Sequence, residues 1–133
     1  MILLPPLSLY IHIPWCVKKC PYCDFNSHVA RDSIPEQLYV DALVEDLKAD
    51  LHWVKGRKLH SIFIGGGTPS LFSGPAIEAI LVAAEALIGF KSDIEITLEA
   101  NPGNFEQHKF ADFHYAGINR LSIGCLLYTS DAA

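Results

Sequence analysis

The sequence predicts an α/β fold built as an open or partial barrel, and three observations point to it. Short strand-like segments alternate with longer segments of helical period. Each strand has one apolar and one polar face, whereas parallel strands covered by helices on both faces read as nearly continuous apolar runs. Cysteine- and glycine-bearing loops follow the carboxyl ends of strands, where a barrel keeps its chemistry. An ordinary doubly wound sheet with edge strands is the competing architecture.

Residues 7–13, LSLYIHI, read as the first strand, with Leu9, Ile11 and Ile13 on one face and Ser8, Tyr10 and His12 on the other. Residues 33 to 53 read as a helix. Ser33 and Glu36 have the spacing of a capping box, Pro35 suits the first turn, and Val40, Leu43, Val44, Leu47 and Leu51 recur at helical spacing. Residues 61–65 form a second strand and 75–88 a second helix, with Ile77, Ile80, Leu81, Ala84, Leu87 and Ile88 on its apolar positions. A third strand, 94–100, sets Ile94, Ile96 and Leu98 against Glu95, Thr97 and Glu99. It leads through Asn101-Pro102-Gly103 into a helix from 104 to Gly117, a residue suited to a left-handed stop. Residues 120–124 begin a fourth strand, with Leu121 and Ile123 opposed to Arg120 and Ser122. About four strands and three helices result, with no internal repeat or low-complexity segment.

Half of the 133 residues are apolar and 19% are charged, enough for one sizeable core and so for a single domain or a piece of one. No apolar run approaches the roughly 18 to 20 residues that span a bilayer, and no basic segment precedes a signal-like core. The expected location is the cytoplasm. The net charge of −5 and the lack of a basic stripe argue against nucleic-acid binding. Four cysteines, three of them crowded between positions 16 and 23, suit a metal site in a reducing compartment better than a secreted disulfide framework.

Four readings compete for Cys16-x3-Cys20-x2-Cys23. Zinc needs a fourth ligand, for which His12 or His28 is available, but His12 lies within a strand and paired C-x2-C knuckles are missing. A dithiol pair at Cys20 and Cys23 leaves Pro21-Tyr22 and the upstream thiol unexplained. Buried structural cysteines fit poorly beside Lys18 and Lys19 in a polar loop. An iron–sulfur cluster takes thiolates at such compact spacing, although three would leave one iron of a cubane without a protein ligand.

Downstream, GGGTPS at 65–70 matches neither a dinucleotide fingerprint nor a P-loop, but Gly66 and Gly67 allow close approach of the backbone to a ligand at the rim that carries the cysteine loop. Glu99 ends the third strand on its polar face. His52, His60, His108 and His114 lack ligand spacing and read as surface or packing residues, whereas the parity of His12 turns it with Tyr10 toward the lumen.

The stretches LSLYIHIPWCVKKCPYCDFNSH, IFIGGGTPS and ITLEANP, between about Leu4 and Gly124, resemble the radical S-adenosylmethionine (SAM) superfamily. The similarity is to the branch that holds oxygen-independent coproporphyrinogen III oxidases and heme chaperones, and it is greatest to the chaperones. The resemblance implies the N-terminal part of a partial (βα)6 TIM-like barrel. It implies that Cys16, Cys20 and Cys23 bind a [4Fe–4S] cluster whose free iron chelates the amino and carboxylate groups of SAM, the cofactor itself supplying the missing ligand. In the family, an electron passed to the adjacent sulfonium yields methionine and a 5′-deoxyadenosyl radical that abstracts hydrogen. Implied SAM contacts are Tyr10, Tyr22, Gly66, Gly67, Thr68 and Glu99, with weaker support for Glu95; Arg120 is available simply to neutralise either acid. Burial tunes a cluster's potential, so Trp15, Tyr22 and Phe25 beside the cysteines have two readings, exclusion of water from the cluster and plain packing.

The same resemblance separates a heme chaperone from a porphyrin oxidase. The oxidases extend the signature to C-x3-C-x2-C-x-C, and here Phe25 occupies the last position. The chain also begins close to its first strand, without the longer leading segment of the oxidases. The expected role is binding heme and delivering it to an acceptor protein, with an electron donor still to be identified. The alternatives are oxidative decarboxylation of coproporphyrinogen III propionates and, from another class, a zinc or thiol-redox module. After RLSIG the sequence CLLYTSDAA departs from the family pattern, so residues 1–124 are expected to be a truncated core domain and 125–133 a non-native tail, with Cys125 no ligand. Four strands cannot close the family's barrel, and the isolated chain is expected to be poorly soluble or inactive.

Overall fold

The computed structural model describes residues 3–16, 28–29, 34–100 and 107–123. In chain order the elements are β1 (Leu7–Ile13), β2 (Trp15–Cys16), β3 (His28–Val29), α1 (Glu36–Ala49), β4 (Leu59–Gly66), α2 (Gly74–Leu87), β5 (Phe90–Ala100), α3 (Gln107–Ala116) and β6 (Arg120–Ile123). Single 3-10 turns cover Leu51–Trp53 and Pro69–Leu71.

The main sheet has the order β1-β4-β5-β6, and every pair is parallel. Strand order therefore follows chain order, with no reversal of direction across the sheet. A doubly wound sheet requires such a reversal; a strand–helix succession that steps one way is the opening of a TIM-like barrel. The helices step in the same sense, α1 against α2 and α2 against α3. A short parallel ladder, Trp15 with His28 and Cys16 with Val29, joins the chain on either side of residues 17–27.

One core lies between one sheet face and all three helices. Ile11, Ile13, Ile62, Ile64, Ile96 and Leu98 meet Val40, Ile77, Ile80, Leu81, Ala84 and Phe113 there. These strand residues are the apolar parity set, so the period-2 reading of the strands decides which face the helices cover. Thr97 is a departure, buried despite its place on the polar face.

Local chemistry explains the element ends. Gly117, at φ +124°, stops α3, and the N–H groups of Gly117 and Ile118 both reach back to the Phe113 carbonyl. β5 begins at Phe90, four residues before its apolar alternation, because Phe90 pairs with Leu59 ahead of a register shift. Helix α1 is shorter than the periodicity suggests: it ends at Ala49 and Leu51 falls in the 3-10 turn. Pro35 occupies its N-cap with no side-chain cap, and Ser33 lies outside the described residues. The Glu36 carboxylate, expected to close a capping box, instead accepts hydrogen bonds from Ser73 N at 2.7 Å and Ser73 Oγ at 2.9 Å. Ser73 Oγ in turn accepts from Ala76 N and caps α2. Among the described residues no helix is long and apolar enough to cross a membrane.

Candidate cofactor site

The carboxyl ends of β1, β4 and β5 converge on one rim. β1 passes through Pro14 to Trp15 and Cys16, β4 ends in the Gly65–Thr68 turn, and β5 ends at Glu99 and Ala100. The turn is bound to the strand that leads into the first cysteine: Gly67 N donates to the Ile13 carbonyl at 2.8 Å and Thr68 N to the Trp15 carbonyl at 2.6 Å. A side chain could not replace these glycines. A Cβ on Gly67 would stand 2.5 Å from Trp15 O, and one on Gly66, at φ +122°, 2.6 Å from Ile13 O. The space released by the missing side chains is thus filled by the chain's own backbone.

On the polar face, Glu99 Oε1 accepts from Gly66 N at 3.1 Å, which fixes the carboxylate beside the turn. Tyr10 is 56% exposed and stacks on Phe63 with ring centroids 6.2 Å apart. Its hydroxyl lies 3.0 Å from His12 Nδ1. Burial of part of the ring, and secondarily the Glu99 charge, push the Tyr10 phenol above its ordinary pKa. Thr68 is buried, and Lys109 Nζ donates to the neighbouring Ser70 carbonyl at 3.0 Å.

Five of the sequence-derived cofactor residues, Tyr10, Gly66, Gly67, Thr68 and Glu99, therefore lie on or beside one rim, and the backbone of Cys16 leaves from it. Cys20, Cys23, Tyr22 and Phe25 lie outside the described residues, as do Cys125 and the rest of 124–133. Arg120 pairs with Glu95 at 3.7 Å, which leaves Glu99 to the glycine turn. His52, His60 and His114 are exposed. Tyr39 and Phe72 belong to no motif of the sequence. Their rings meet Trp15 at 4.9 Å and 5.9 Å, and the Tyr39 hydroxyl donates to the His12 carbonyl at 2.5 Å. Helical spacing places Tyr39 on the edge of the apolar stripe but gives no sign of a partner 27 residues away.

A parallel sheet wound in chain order, with a cysteine segment, a glycine turn and a carboxylate on its carboxyl rim, defines a class. Residues 10–126 match the family model of the radical SAM superfamily, and the chain belongs to that superfamily. Among curated proteins it is 53% identical over 131 residues to the heme chaperone HemW of Escherichia coli K12, covering 98% of this chain and 35% of that protein. To HemW of Haemophilus influenzae it is 58% identical over 132 residues, 96% of this chain and 34% of the relative. Radical S-adenosyl methionine domain-containing protein 1, mitochondrial, of Bos taurus is 41% identical over 88% of this chain and 26% of its own length. Among solved structures, the coproporphyrinogen III oxidase HemN of Escherichia coli, a radical SAM enzyme, aligns with TM-score 0.81 at 33% identity, covering 90% of this chain and 28% of that one. The chain spans about a third of the length of the curated chaperones it matches. Membership of the superfamily implies SAM and a [4Fe–4S] cluster as cofactors.

Proposed function

We propose that this chain is the N-terminal portion of the radical SAM core, residues 1–124, of a cytoplasmic heme chaperone that binds heme and passes it to an acceptor protein. The observation that carries the reading is identity of 53% and 58% to proteins named heme chaperones, across nearly the whole chain, against 33% to the oxidase. Phe25, where the oxidases carry a further cysteine, supports the same side.

The donor set suits the cofactors. Cys16, Cys20 and Cys23 would hold the cluster as thiolates, and the open iron would take the amino and carboxylate groups of SAM. The rim next to Cys16 presents the Glu99 carboxylate and the phenol of Tyr10, which suit the cationic and ribose groups of that ligand. Gly66, Gly67, Thr68 and Tyr22 complete the proposed contacts. When bound, cluster and SAM together supply electron transfer to a sulfonium and cleavage of its carbon–sulfur bond. The chain's own part is positional. The glycine turn holds the backbone ahead of Cys16, Glu99 is fixed on Gly66 N, and the Trp15 ring is packed on Tyr39 and Phe72.

The test is anaerobic reconstitution of the full-length parent, followed by heme titration beside an assay for coproporphyrinogen III decarboxylation. Stable heme binding without turnover supports the chaperone. Turnover without stable heme binding overturns it in favour of the oxidase, and zinc without sulfide overturns the cluster itself.

A further inference from the structure

We infer that Tyr39 is a positioning residue for the cysteine segment, holding the peptide that leads into Cys16 from a site outside the cofactor rim; the inference rests on the cluster reading above. Among the described residues β1 is the edge of the main sheet and pairs with β4 alone, so its alternate carbonyls face away from that ladder. Ile13 O turns inward and accepts from Gly67 N. His12 O, one residue earlier, turns to the opposite side of the strand, and Tyr39 Oη donates to it at 2.5 Å. Beyond Pro14, which has no N–H to offer, Trp15 O accepts from Thr68 N. Between His12 and Trp15, three carbonyls are thus tied, two to the glycine turn and one to α1.

The same helix grips the strand by packing. The Tyr39 and Trp15 rings meet edge to face at 84°, and Phe72, which is buried, lies against both. α1 is anchored to the Phe72 segment by the Glu36–Ser73 hydrogen bonds. The strand before the cysteine segment, the helix after it and the glycine turn therefore meet at one aromatic cluster. Tyr39 acts through the backbone at Cys16, and its removal leaves every proposed ligand in place.

The experiment uses the full-length parent, reconstituted anaerobically, with Tyr39→Phe, Tyr39→Leu and, as a control on the same helix, Val44→Ala. The readouts are iron and sulfide content, the rate at which the cluster's visible absorption is lost to excess chelator, and the electron paramagnetic resonance spectrum of the reduced cluster with and without SAM. Tyr39→Phe is expected to take up the same iron and sulfide, to lose it about fivefold faster, the factor matching one hydrogen bond, and to alter the SAM-dependent spectrum. Tyr39→Leu is expected to lose it faster still, while Val44→Ala lowers the thermal midpoint and leaves loss rate and spectrum unchanged. A Tyr39→Phe protein with wild-type loss rate and spectrum overturns the inference alone. So does a Val44→Ala protein whose loss rate rises as much as that of Tyr39→Leu at equal thermal midpoint. A wild-type parent that takes up no iron and sulfide overturns the inference together with the reading beneath it.

Discussion

The two faces of the sheet are built from the same strands and do opposite work. On one, Ile64, Leu98, Ile13 and their neighbours are packed without exposure beneath the helices. On the other, Tyr10, Phe63, Glu95, Glu99 and Arg120 retain solvent access, and their contacts are polar or stacked. Alternation along β1 is therefore a division of labour: its odd positions turn to the core and its even positions keep solvent access. Variants on the first face are expected to cost stability, and variants on the second to alter chemistry at little cost in stability.

The sharpest way to break the comparison is from the covered side. In the full-length parent, Ile64→Ala and Leu98→Ala are each expected to destabilise by about 2 to 5 kcal/mol in denaturant unfolding, since both side chains are fully buried and leave cavities. Gly67→Ala tests the rim, where the two faces meet. With its Cβ 2.5 Å from Trp15 O it is expected to cost about 1 to 3 kcal/mol. It is also expected to lower iron uptake on reconstitution, which metal analysis would show. Ser73→Ala removes the cap of α2 and the partner of Glu36, for an expected loss of about 1 to 2 kcal/mol in thermal unfolding. On the open face, Arg120→Ala is expected to shift stability by less than about 1 kcal/mol, because its pair with Glu95 is more than half exposed on both sides.

The smallest effect is a titration. Because the folded Tyr10 pKa is raised, the stability linked to it is fully present below the ordinary phenol value of 10.0 and is lost as pH rises through the folded value. Replacing Glu99 by Gln removes the secondary cause and leaves burial, so the Tyr10 phenol is expected to titrate earlier but still late. Ultraviolet difference titration of Glu99→Gln against wild type, with Tyr10→Phe to assign the signal, measures this directly.

Most of the fold was legible in the sequence because strand alternation and helix period are local signals. The strand at 7–13 coincides with β1, and the stop at Gly117 ends α3. The long-range choices were not legible. Glu36 has the spacing of a capping box, yet its carboxylate bonds Ser73 across 37 residues, because another helix presents an N-cap that needs an acceptor for its own hydroxyl. The alternation marks the strand only from Ile94, since Lys91, Ser92 and Asp93 interrupt it, but the pairing of Phe90 with Leu59 draws the preceding segment into β5. At the rim, the motif GGGTPS marks the position of the turn, while the atoms that need its glycines, the carbonyls of Ile13 and Trp15, belong to another strand.

Asn119, just ahead of β6, carries a consequence for the whole alternation. Its side-chain amide donates to Ile94 O and accepts from Ile96 N, each at 2.8 Å, while its backbone N–H reaches Ile96 O at 3.0 Å. A repeat of two has a phase as well as a period, and a slip by one residue would exchange the open face for the buried one. By imitating a strand residue before the first ladder pair, Thr97 with Arg120, the amide sets that phase for β6. A single side chain thus fixes which face of β6 continues the buried face of β5.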